Sequence, residues 1–289
     1  MKCVRTYYIL WLNSRKKSCN NPLRRGVNDA MIWRYSICAV LGLLSGFGQI
    51  APTGPEQAAL IDRVRLQALA YVENLPNFIC TQETHRSSAT AKAPEQWKTL
   101  DTLKIRLTYF GKKEDYRVIS VNVKPADKSF TEMKGWKTQG DFGSTLLALF
   151  REKTKARFEW QEWTVWDGRK AAVLKFQVDQ EHSPFQSSSG PGRKINWAAE
   201  GLVFADLETR QVLRLTINSK DIPESFPARE VHIDSQFAFQ KIGENEFLLP
   251  ARSVSMTVTG KERRKSDSRF LDYRKFSADA EIKFGEIAK

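Results

Sequence analysis

From Leu103 onward, apolar side chains return at every second position in one segment after another. In "LKIRLTYF", Leu103, Ile105, Leu107 and Tyr109 share a face, and Lys104, Arg106 and Thr108 share the other. "AAVLKFQVDQ" aligns Ala172, Leu174, Phe176 and Val178. "VLRLTI" aligns Leu213, Leu215 and Ile217, and "EVHIDSQFAF" aligns Val231, Ile233, Phe237 and Phe239. "YRVISVNV", "SVSMTVTG" and "DAEIKF" continue the rhythm. Side chains alternate across a strand, so this period requires sheets with one face buried and the other wet, which is the antiparallel case.

The connections agree. "WDGR" sets Asp167-Gly168 between two strand-like runs, a hairpin signature. "GKKED", "LETR" and "IGENE" read as reversals, and residues 87–96, "SSATAKAPEQ", read as a loop. Two stretches break the period. "PEQAALIDRVRLQALAYVENLPNF" puts Ile61, Val64, Ala68, Tyr71 and Val72 on one helical face, with Pro55 in the first turn and Pro76 at the stop. "GDFGSTLLALFREKTKARF" spaces Leu146, Leu147 and Phe150 helically after Ser144, a residue type that caps helices. There is no βαβ rhythm and no internal repeat. The expectation is an α+β domain with a long N-terminal helix, one short central helix and about nine to eleven antiparallel strands.

The first fifty residues have a different character. "MIWRYSICAVLGLLSGFGQIAP", residues 31–52, has Arg34 before an apolar run from Ile37 to Phe47, with Gly46 and Gly48 at −3 and −1 of a cut before Gln49. That is the pattern of an export signal. Residues 1–30 are basic and without period. On one reading translation starts at Met31, and 1–30 is untranslated or a disordered extension, 31–48 a signal peptide and 49–289 one exported domain. On the other, the charge-free stretch between Arg34 and Glu56 stays as an anchor, near the roughly 20 residues a membrane span needs. Both readings export residues 56–289, to the periplasm or beyond, and no Leu-x-Gly-Cys run points to a lipid-anchored lipoprotein.

Cysteine and charge bear on the partners. Cys3, Cys19 and Cys38 fall in or before the signal, so the exported part keeps Cys80 alone and forms no internal disulfide. It is stabilised by its core. The chain carries +13, but residues 1–48 hold eight Lys/Arg and one Asp, or +7, which leaves +6. That mild balance assigns no nucleic-acid partner; it suits anionic lipid or envelope polymer.

No cofactor, metal or catalytic motif is legible. His85, His182 and His232 lack the spacing of a metal set. Cys80 and His85 are five apart, on opposite faces of a strand, so Cys80 reads as a buried apolar residue. "SSSGPGRK" lacks the phosphate-loop spacing and reads as a loop tip. The aromatic cluster "FEWQEWTVWDG" holds Trp160, Trp163 and Trp166. Strict alternation puts Phe158, Trp160 and Trp166 on one side and Trp163 on the other. The simpler reading is core; the sharper one is that a tryptophan lines a ligand cavity. Trp136, in a polar loop, is a further contact candidate. "GKERRKSDSR" offers Lys261, Arg263, Arg264 and Lys265 as a basic loop between strands, for headgroups or simply for solvent.

"YVENLPNFICTQETHR", "LTYFGKKEDYRVISVN", "GDFGSTLLALF", "FLLPARSVSM" and "FLDYRKF" resemble a group of exported proteins of Gram-negative soil bacteria, over about residues 56–289. More distantly, "GLVFADLETRQVLRLTI" and "FLLPARSVSMTV" are similar to the central hairpin and a late strand of the lipoprotein-carrier and lipoprotein-sorting superfamily. That resemblance implies a long N-terminal helix packed on a strongly curved, half-barrel-like sheet, and a lipid or lipoprotein as partner. The chain departs from the dedicated carrier in its polar loops at 87–98 and 180–196, so no binding residue is transferred. Three function classes follow. The first is a non-enzymatic binder of an apolar or amphipathic ligand. The second is an interaction module of the envelope or membrane surface. The third is a polymer hydrolase using an acid pair about 5 to 10 Å apart.

Overall fold

The computed structural model describes residues 50–93, 96–133, 143–190 and 192–276, all within one compact unit, Gly48–Lys289. The export signal, the start-site alternatives and the "DAEIKF" strand lie outside the described residues. The fold is α+β: a long N-terminal helix and a short central helix on a large antiparallel sheet that is curled but not closed.

Helix α1 (Gly54–Asn74) begins where Thr53 donates its backbone amide and its hydroxyl to Glu56 (2.8 and 2.9 Å). That exchange satisfies a helix end that has no internal partner. α1 buries Leu60, Val64, Ala68, Tyr71 and Val72. Ile61, expected on that face, is only partly buried; Leu60 takes its place.

The strands form two meanders. β1 (Phe78–Thr90), β2 (Lys98–Phe110), β3 (Lys113–Val121) and β4 (Lys124–Ser129) run outward to one edge. β5 (Arg157–Trp166) is the other edge, followed inward by β6 (Arg169–Val178), β9 (Ala198–Asp206), β10 (Val212–Lys220), β11 (Ala228–Ile242), β12 (Asn245–Thr259) and β13 (Glu262–Lys275). β13 then pairs with β1 and joins the meanders into an eleven-stranded sheet. β7 (Gln186–Ser188) and β8 (Lys194–Asn196) are a separate two-stranded ribbon within the β6–β9 connection.

The turns follow their residues. Gly111-Lys112 (φ 56°, 63°) and Asp167-Gly168 (φ 49°, 76°) supply the paired positive φ angles of tight hairpins. Two expectations change. The loop expected from Ser87 begins only after Thr90, because Ser87–Thr90 pair with β2 or β13, and that pairing outweighs their weak strand preference. Helix α2 (Ser144–Phe150) is capped by Gly143 at φ 96°, not by Ser144, because the chain enters the helix in a left-handed conformation that a side chain resists.

The edges β4 and β5 are ten strand spacings apart, roughly 48 Å along the sheet. The chain crosses between them through α2, which packs on α1. α1, α2 and the inner faces of β6, β9, β10 and β11 build one apolar cluster, around Val64, Leu149, Phe176 and Leu215. β1, β2 and β3, with Ile242, Leu249 and Phe270, build a second around Phe78, Ile105 and Val118. α1 touches both meanders: it packs on β5, and near its end Tyr109 Oη of β2 donates to the Val72 carbonyl (3.4 Å).

Candidate functional site

Where α1 begins, the sheet and the helix part. A cleft of about 560 Å³ opens between Ile50–Thr53, the first turns of α1, Trp163 of β5, and Leu207 and Arg210 of the β9–β10 turn. Ile50, Ala51, Pro52, Ala59, Leu60, Trp163 and Leu207 give it an apolar wall. Arg63 and Arg210 give it cations, and Glu56 is its carboxylate. Glu56 already accepts from Thr53, whose amide and hydroxyl hold it below the usual carboxylate range. Arg210 donates to the Leu207 carbonyl. Arg63 is exposed and makes no ion pair with a described residue.

β5 reaches this cleft through a bulge. The register slips between Trp160 and Glu162, so one extra residue, Gln161, enters the strand. A one-residue slip moves every later side chain to the opposite face. Trp163 therefore lies with Phe158 and Trp160, and Trp166 lies opposite, which corrects the strict alternation expected from sequence. Trp160 and Trp163 meet edge to face at 5.6 Å. Trp163 Nε1 donates to the Ile50 carbonyl (3.2 Å) and pins the segment leading into α1. Trp160 packs on the helix–sheet core, and its Nε1 is buried without a partner. Trp166 stacks under Arg214 (4.5 Å), which also covers Phe204 (5.1 Å) and forks onto Asp234 (2.7 and 2.8 Å). Of the tryptophans singled out from sequence, the cleft takes Trp163. Trp136 lies outside the described residues.

The basic stretch is not a loop. The turn is confined to Gly260 and Lys261, and Arg263, Arg264 and Lys265 are strand residues of β13 paired with β1 and β12. Hydrogen bonding on both sides holds these polar residues in the sheet. Arg264 pairs with Glu262, and Lys265 lies 4.3 Å over the Trp97 ring. In the strand Arg263 and Lys265 take one face and Arg264 the other.

A second polar feature crosses the middle of the sheet. Thr84, Ser268, Ser253 and Ser235 face one another across β1, β13, β12 and β11, and Arg86, Ser266 and Ser255 form the next row. All seven are buried. Thr84 and Ser268 share a hydrogen bond of 2.8 Å, Ser235 and Ser253 one of 3.3 Å. Arg86 forks onto Asp101 (2.5 and 2.7 Å). Gln82 donates from Nε2 to Thr84 and Ser268 (3.0 and 3.2 Å). This belt lies between Leu103 and Ile105 of one apolar cluster and Leu215 and Ile217 of the other. Its trace in the sequence is the replacement of apolar residues by serine at alternate positions, "SVS" in β12 and "SDS" in β13.

Cys80 is buried, and burial pushes its thiol well above the ordinary range. His232 bonds Asn218 and Glu230, and His85 bonds Thr102. Among the described residues no three metal-ligating side chains gather. Every described carboxyl whose proton affinity moves goes down, through Thr53 at Glu56 and through arginines at Asp127, Asp179, Asp206 and Asp267. No described helix is long and apolar enough to cross a membrane.

No family model and no curated protein matches the chain. Solved structures do. A LolA superfamily protein from Nitrosomonas europaea is 10% identical over 78% of this chain and 96% of its own, with a TM-score of 0.36. A domain described as an outer membrane lipoprotein-sorting protein, from Vibrio parahaemolyticus, is 11% identical over 80% and 98%, also at 0.36. A DUF1329 family protein from Desulfovibrio piger is 10% identical over 76% and 93%, at 0.37.

Proposed function

We propose that this is an exported, non-enzymatic protein that binds an amphipathic ligand with an anionic head in the cleft between α1 and β5. The observation that carries the reading is the composition of that cleft: an apolar wall centred on Trp163 and Leu207, with Arg63 and Arg210, neither in an ion pair with a described residue, on its lining. An apolar tail gains by leaving water at about 25 cal/mol per Å² buried, and a guanidinium suits a carboxylate or phosphate through paired N–H donors. The volume is within the range of small-ligand pockets, about 300–1,000 Å³. Hydrolysis by an acid pair would call for a carboxyl held protonated near neutral pH, and the described carboxyls that shift do so in the other direction.

The test is calorimetric titration of the exported domain with dodecanoate below its micelle concentration. Binding that weakens about tenfold in both Trp163→Ala and the Arg63→Ala/Arg210→Ala double variant is the expected result, corresponding to about 1.4 kcal/mol each. No binding, or binding indifferent to both changes, overturns the reading.

A further inference from the structure

A second, smaller cavity of about 250 Å³ opens between α1, the end of α2 and the start of β5. Arg63 lines the cleft and Arg65 lines this cavity. Two positions on a helix differ by about 200°, so the two openings lie on different flanks of α1. Phe150 and Phe158 wall the cavity, their rings stacked at 5.0 Å. Around them stand three cations, Arg65, Arg151 and Lys155, and one carboxylate, Glu152. A tight turn holds the last three. The Thr154 amide donates to the Arg151 carbonyl (3.0 Å) and the Lys155 amide to the Glu152 carbonyl (2.9 Å). Thr154 is 1% exposed and donates its hydroxyl to the Ala148 carbonyl (2.5 Å). Lys155 sits at φ 47°, where glycine or asparagine would fit with less strain, so the turn keeps a cation there at a local cost. Arg151 and Lys155 are exposed and make no ion pair with a described residue, and Arg65 meets Asp62 only at 3.7 Å. Asp179 does not serve them, because it is held by Arg157 (2.7 and 2.9 Å).

We infer that this cavity binds the phosphate of a phosphomonoester, at a site separate from the α1–β5 cleft. Its volume is below the roughly 300–1,000 Å³ of pockets that enclose a whole small ligand, so it receives a head group. One guanidinium fork is enough for a carboxylate. Here three cations less one carboxylate leave two positive charges, which match the charge of about −1.5 to −2 on a phosphomonoester. Its oxygens accept from both guanidinium groups and from the lysine ammonium together, since these carry donors only. The carbon next to the ester oxygen lies against Phe150 and Phe158. Because Arg151 and Lys155 are exposed, salt screens the attraction, and affinity falls as ionic strength rises. The same chemistry serves a soluble phosphomonoester and a lipid head group.

The probes are glycerol 1-phosphate, which is soluble, and phosphatidylcholine vesicles with and without phosphatidic acid, which present the same group at a surface. Both are titrated into the Arg63→Ala/Arg210→Ala protein, so that a phosphate held by the cleft is not counted, and the dodecanoate titration tests the cleft by itself. In that background, Arg151→Ala/Lys155→Ala should lose at least about tenfold in affinity for whichever probe binds. Lys124→Ala/Lys128→Ala removes the same charge from the edge strand β4 and should leave affinity unchanged. The side chains replaced in both double variants are exposed, so neither change disturbs the core. Binding of glycerol 1-phosphate alone marks a soluble ligand, and binding only to vesicles with phosphatidic acid marks a lipid head group; either upholds the site. If neither probe binds, or the two double variants lose affinity equally, the inference is overturned, and the cations are a solvated rim.

Discussion

Asp206 ends β9 at 2% exposure and organises the turn that supplies Leu207 and Arg210 to the cleft. It accepts from Arg169 Nε (2.6 Å), from the amides of Glu208 (2.9 Å) and Thr209 (2.7 Å), and from the Thr209 hydroxyl (3.0 Å). Burial opposes its charge, but Arg169 and the Thr209 and Glu208 donors outweigh burial and draw the carboxyl down to about 2. An unfolded aspartate titrates near 3.9, so the charged form gives the fold between about 2 and 3 kcal/mol at neutral pH. Because the folded value is the lower one, that contribution is complete above the unfolded value and drains away as pH falls toward about 2. Asp206→Asn keeps an acceptor for the turn amides but loses the charged bond to Arg169. Urea unfolding should show the variant less stable by between about 2 and 3 kcal/mol at pH 7, and the gap should shrink to a few tenths near pH 2. A gap that is equal at both pH values would mean that shape, not charge, is what Asp206 contributes. A gap near zero at pH 7 would refute the argument altogether.

Other outcomes follow from single contacts. A Cβ at Gly201 would sit 1.8 Å from the Thr216 carbonyl and 2.7 Å from the Phe176 ring, so Gly201→Ala should lower stability by at least about 3 kcal/mol in a denaturant melt. Cys80 should stay unlabelled by a thiol reagent in the native protein and react in denaturant, because the thiolate is the reactive form and burial opposes it. Loss of the Trp163–Ile50 bond in Trp163→Phe should raise amide hydrogen exchange at the start of α1 by a few-fold while leaving β5–β6 pairing protected, measured by mass spectrometry.

Much of the architecture was readable one residue at a time. Alternation in β2, β6, β10 and β11, glycines and aspartate at the hairpins, and the helical positions Val64, Ala68, Tyr71 and Val72 are local consequences of backbone geometry, and they reappear in place. Cys80 was legible as a buried residue for the same reason. The site was not. One inserted residue at Gln161 reverses which tryptophan meets Trp160, and nothing in "FEWQEWTVW" marks where the extra residue goes. The basic run became strand because neighbours on both sides bonded its backbone, a partnership invisible along the chain.

The periods of the sequence, two in the strands and near four in the helix, were enough to specify an α+β chain with antiparallel pairing, since they depend only on how a side chain leaves its own backbone. Closing β13 onto β1, parting the core into two clusters with a hydroxyl belt between them, and bringing Trp163, Arg63 and Arg210 to one cleft were settled only in three dimensions. Those residues stand about 50 to 150 positions apart. Their meeting depends on which strand edges pair and how the sheet curls, and that is a property of the whole packed chain rather than of any stretch of it.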